Sequence, residues 1–77
     1  MNYDAVINSL SETIDELPNN QVFELKELFI GGVWENFSKG DRIALGKSFK
    51  SRVLDETVPN IEFAGKANNN HATYRKV

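Results

Sequence analysis

The chain has 77 residues, nine Lys and Arg against eleven Asp and Glu, one His and no Cys. This excludes a disulfide framework, a Cys-ligated zinc site and a thiol nucleophile, and a single His cannot build a His-based metal cluster. A chain this short is one domain burying only about 60% of its unfolded surface, so few side chains are spare for a catalytic pocket.

Residues 2–16 read as a helix. Val6, Leu10, Ile14 and Leu17 recur at helical spacing with Ile7 beside them. Asn2 or Asp4 can cap its start, and Pro18 ends the run because it disfavours helical backbone at Leu17. Asn8, Ser11, Glu12 and Asp15 make the outer face, an acidic surface suited to a protein partner. Gln21-Val22-Phe23 reads as a short extended entry. A short helix follows from Glu24 to Phe29 or Ile30, ended by Gly31-Gly32. Val33, Trp34 and Phe37 make a further helical turn, and the large rings are expected in the core.

Ser38-Lys39-Gly40-Asp41 starts a longer helix, with Ser38 as N-cap and Asp41 at the third helical position. It is expected to run to Leu54. On the helical wheel Leu45, Gly46, Phe49 and Val53 share the inner face. Gly46 costs helix propensity, so a close approach of another element is expected there. Ala44, Lys47, Ser48 and Ser51 lie opposite, with Lys50 at their margin. Arg42 falls on the apolar side in the first turn, where it is expected to reach a carboxylate or a chain end. Residues 61–77 read as a hairpin: Ile61 and Phe63 alternate with Glu62 and Ala64, then Ala72, Tyr74 and Lys76 with Thr73 and Arg75. Asn68 to Asn70 form its turn, since Asn tolerates left-handed backbone.

The fold class expected is therefore α+β, a small winged helix-turn-helix-like domain of three to four helices followed by a C-terminal β-hairpin. It is a single domain over 1–77. Residues 1–20 form the N-terminal helix, 21–56 the helical core with the helix-turn-helix, and 57–77 the hairpin wing. No apolar run approaches the ~20 residues of a membrane span, and the acidic Met1-Asn2-Tyr3-Asp4 start lacks a signal-peptide layout. No membrane partner and a cytoplasmic location are expected.

Charge is uneven along the chain. Residues 1–37 carry seven carboxylates against Lys26 alone, whereas residues 38–77 carry eight Lys and Arg against four carboxylates. The surplus coincides with the third helix and the wing, which points to a polyanionic partner, duplex DNA. The DNA-binding candidates are Lys47, Ser48, Lys50 and Ser51 on the helix and Lys66, Asn69 and Arg75 on the wing. Lysines give salt-dependent phosphate contacts, and the small serines let a helix approach a groove. With no Arg on the outer helix face, backbone contact is expected to outweigh base readout. A homodimer through the first helix would suit half-site recognition.

Enzyme readings lack their parts. Ser38, Ser48 and Ser51 have only His71 as partner and no nucleophile elbow, and the glycines fit neither a P-loop nor a dinucleotide motif. No catalytic residue, metal or cofactor is expected. The alternative to DNA binding is a non-enzymatic protein-interaction module, an adaptor or phage-type inhibitor, acting through Glu12 and Asp15.

Phe23-Glu24-Leu25-Lys26-Glu27-Leu28-Phe29, Trp34, the stretch from Gly40 to Phe49, Val53, Gly65-Lys66, Asn70 and Tyr74 form a combined pattern. On these residues the chain resembles a domain-of-unknown-function family of short proteins from Gram-positive bacteria and their mobile elements. The resemblance implies a small cytoplasmic domain and no reaction. It places Arg42, Gly46, Phe49 and Tyr74 in a shared framework and implies a structural role for Arg42.

Overall fold

The computed structural model describes all residues, 1–77. Its helices are α1 (Tyr3–Asn8), α2 (Ser11–Asp15), α3 (Val33–Asn36) and α4 (Lys39–Leu54), and its strands are β1 (Val22–Phe23), β2 (Ile61–Lys66) and β3 (Ala72–Lys76). A single 3₁₀ turn, Leu25–Leu28, stands between β1 and α3. No helix is long and apolar enough to cross a membrane.

The N-terminal helix is divided where one continuous helix was expected. Asn2 caps α1 by accepting from the Ala5 N–H at 3.1 Å. At the break, the Ser9 hydroxyl donates to the Val6 carbonyl at 2.6 Å, and the Leu10 N–H turns to Ile7 at 3.0 Å. Serine bonding back to its own backbone competes with the helical ladder and tightens the turn. The apolar stripe survives, because Ile7, Leu10 and Ile14 all remain buried.

The sheet also departs from expectation. It has three antiparallel strands in the order β1-β3-β2, so the hairpin does not stand alone. Val22 pairs with Arg75 and Phe23 with Tyr74, which makes β3 the central strand. A two-stranded hairpin is marginal in water, and the short entry strand supplies the missing edge. Between Phe63↔Tyr74 and Lys66↔Ala72 the register slips by one residue, at a bulge where Gly65 takes φ +90°. Asn70 takes φ +67° in the turn, as its residue type permits.

α4 matches its predicted bounds. The Ser38 hydroxyl accepts from the Asp41 N–H at 3.0 Å. At the other end Glu56 is left-handed, and the Glu56 and Thr57 N–H groups donate to Val53 and Arg52, closing a Schellman motif. Leu45, Phe49 and Val53 face the sheet and are buried. Tyr74 is the centre of the core: its ring lies 4.9 Å from Phe49 and 6.0 Å from both Phe23 and Phe63. Trp34 and Phe37 are only partly buried. With Phe29 they form a separate aromatic group at the core's edge, with centroids 5.4 to 6.0 Å apart.

Lys76 shares the inward face of β3 with Tyr74 and is 7% exposed. Its Nζ donates to the carbonyls of Ile14, Asp15 and Leu17 at 3.0 to 3.2 Å. These acceptors stand at the carbonyl end of α2, where free C=O groups and the helix dipole favour a cation. A charge counted with the basic surplus therefore joins the last strand to the end of α2.

Candidate functional site

A groove of about 690 Å³ runs between α4, the 3₁₀ turn and the hairpin. α4 supplies Lys39, Arg42, Ile43, Gly46, Lys47 and Lys50, a stripe at successive turns of one helix. The 3₁₀ turn and the residue before it add Glu24, Leu25 and Lys26. α3 adds Trp34, and the hairpin adds Lys66, Asn70, His71, Ala72 and Tyr74.

The charges divide sharply. Of the nine Lys and Arg in the chain, six line this groove: Lys26, Lys39, Arg42, Lys47, Lys50 and Lys66. None of the six makes an ion pair, and the side chains of none donate a hydrogen bond within the protein. Lys50 instead stands 4.7 Å above the Phe63 ring, a cation–π contact. The other three cations are all engaged elsewhere. Arg52 donates to Asn8 and faces Asp4 at 3.8 Å, Arg75 pairs with Glu62, and Lys76 is buried against α2.

Glu24 is the sole groove carboxylate, and it is already occupied. Its Oε1 lies 2.7 Å from His71 Nδ1, and its Oε2 accepts from Asn69 Nδ2 at 3.3 Å. The His71 hydrogen bond chiefly holds its pKa below the ordinary carboxylate value, with partial burial opposing the shift. This contact ties the hairpin tip to the start of the 3₁₀ turn. The Glu27 carboxylate secures that turn by accepting from the Glu24 N–H. At the groove floor, burial pushes the Tyr74 phenol up to about 12, so it stays neutral.

Two unit charges about 10 Å apart in water repel by only about 0.4 kcal/mol. A cluster of unpaired cations is therefore tolerable in the free protein. It also leaves a field that a polyanion lowers without first breaking internal ion pairs.

The structure brings Lys47, Lys50 and Lys66 together in this groove. Ser48 is half-buried and Ser51 exposed on α4, both outside the groove lining. Asn69 lies beside the groove mouth, where its side chain is used in holding Glu24 and in accepting from the His71 N–H. Arg75 is exposed on the sheet face opposite Tyr74, since neighbouring strand residues point to opposite sides.

Arg42 was expected to meet a carboxylate or a chain end, and it meets neither. Its Nε is buried without a partner. Gly46 was expected beneath a close neighbour, yet a Cβ built there would meet nothing within 4 Å. Lys39, Arg42, Gly46 and Lys50 share a helical stripe that the wheel could have revealed. Lys26, from the acidic half, joins them only through tertiary folding.

No curated protein and no solved structure matches the chain. The likeness from Phe23 to Tyr74 extends into the N-terminal helices: a family model for a domain of unknown function (DUF1413) matches residues 8–76, and the chain belongs to that family.

Proposed function

We propose that the protein is a small non-enzymatic DNA-binding protein of winged-helix type, a cytoplasmic regulator in a bacterial or mobile-element system. Duplex DNA lies against the groove between α4 and the hairpin. The observation that carries this reading is the partition of charge. In a chain of net charge −2, six cations without ion-pair partners converge on one groove, while Arg52 and Arg75 face carboxylates elsewhere and Lys76 is held by backbone carbonyls. Phosphate contact supplies most of the affinity, because lysines dominate the lining and neutralised phosphates release counterions. The exposed Lys47 and Lys66 meet the backbone from the helix and hairpin sides, with Lys50 between them.

The test is fluorescence anisotropy of a labelled short duplex across a salt series. If most groove cations engage phosphates, the slope of log K against log salt is about −3 to −5. Lys47→Glu and Lys66→Glu each weaken binding on every sequence, and Lys→Ala at either position reduces the slope by about one. No binding at low salt overturns the reading. It leaves the exposed Glu12 and Asp15 on α2 as the surface of a protein-interaction module.

A further inference from the structure

Arg42 differs from the other groove cations in being restrained without being satisfied. Its side chain is half-buried, whereas Lys39 and Lys47 are exposed. Its Nε is out of contact with water and has no partner, and no carboxylate pairs with its guanidinium. Guanidinium is the side chain whose fork matches a phosphate with two parallel hydrogen bonds. One helical turn on stands Gly46, whose Cβ position is open space within the groove lining. Neither a positive φ nor a close neighbour accounts for glycine there. A further turn on stands Lys50, held over Phe63. The three residues make an open floor between two cations, each about 6 Å along the helix from Gly46.

We infer that Arg42, Gly46 and Lys50 form a seat for one phosphate group. The glycine lets the oxyanion approach the helix, Arg42 grips it from one side and Lys50 supplies charge from the other. Any side chain at position 46 would occupy the space the phosphate takes. The inference deepens the nucleic-acid reading but does not depend on it, since a phosphodiester and a free phosphate ester present the same oxyanion.

Trp34 lines the same groove and is the only Trp in the chain, so its emission reports occupancy. The full chain is titrated with inorganic pyrophosphate by Trp34 fluorescence and, separately, with a labelled short duplex by anisotropy. Pyrophosphate is expected to saturate the signal and to compete with the duplex. Arg42→Gln and Gly46→Gln each weaken both ligands about tenfold, the loss expected for one strong charge-assisted contact. Leu54→Gln, at the exposed end of α4 and outside the groove, leaves both within about twofold. Gly46→Gln introduces a good helix former at an open position, so it carries the test should Arg42→Gln fail to fold. Retained duplex binding in Gly46→Gln and Arg42→Gln overturns the seat and leaves the DNA reading intact. Saturable, variant-sensitive pyrophosphate binding without duplex binding upholds the seat and overturns the DNA reading.

Discussion

Replacing Gly46 by Ala separates a structural role for this glycine from a functional one. Gly46 stands mid-way along the sixteen-residue α4, where glycine is less favourable than alanine by about 0.8–1.0 kcal/mol. Part of that cost is the extra backbone freedom a glycine has in the unfolded chain. The added methyl would meet no atom within 4 Å, so no clash offsets the gain and no new burial adds to it. Gly46→Ala should therefore stabilise the fold by a little under about 1 kcal/mol. With an unfolding entropy of about 2.1 cal/mol/K per residue, this raises Tm by about 5 °C in a domain of this size. Circular dichroism melts and urea titrations measure it, with an unchanged urea slope expected. A Tm equal to or below that of the unsubstituted chain would refute the description of an open helix face. A stabilised variant that binds phosphate less well would show that the glycine is retained at a cost to stability.

Two further predictions concern the contacts that close the fold. Lys76→Met removes a charged donor from three carbonyls and should cost about 2–3 kcal/mol, read as a lower urea midpoint. A shift no larger than that of Arg75→Met, which removes only an exposed ion pair, would refute the role assigned to Lys76. The Glu24–His71 contact contributes stability above the ordinary carboxylate value of 4.5, because Glu24 keeps its charge in the fold to lower pH. That contribution is lost as pH falls through the depressed value, so urea midpoints measured from about pH 6 to about pH 3 should fall less steeply for Glu24→Gln. Parallel curves for the two proteins would show that the hairpin tie does not contribute.

Local signals found the elements whose causes are local. The Ser38 cap, the Leu45-Phe49-Val53 spacing and the Asn-rich turn each specify their own structure through nearest neighbours, and α4 and the hairpin stand where they were read. The helix over residues 2–16 was legible as an apolar stripe, but its division at Ser9 depends on one hydroxyl choosing a carbonyl. Leu25–Leu28 makes one 3₁₀ turn in place of a short helix, because Phe29 is already extended at φ −104°, ψ 134°. Trp34 and Phe37 were assigned to the core by size, yet they pack at its edge, where Trp34 also lines the groove.

The sequence by itself determined an α+β domain with a basic C-terminal half, because periodicity and composition are carried residue by residue. It also picked out Lys47, Lys50 and Lys66. Only the tertiary structure decided which charges remain free, since an ion pair depends on distance between segments far apart in the chain. It withdrew Arg52, Arg75 and Lys76 into contacts with Asp4, Glu62 and the carbonyls of α2, and it brought Lys26 across to face α4. The net charge of −2 is the same in either view. Folding sorts it into an acidic remainder and one groove whose six cations have no ion-pair partner within the protein.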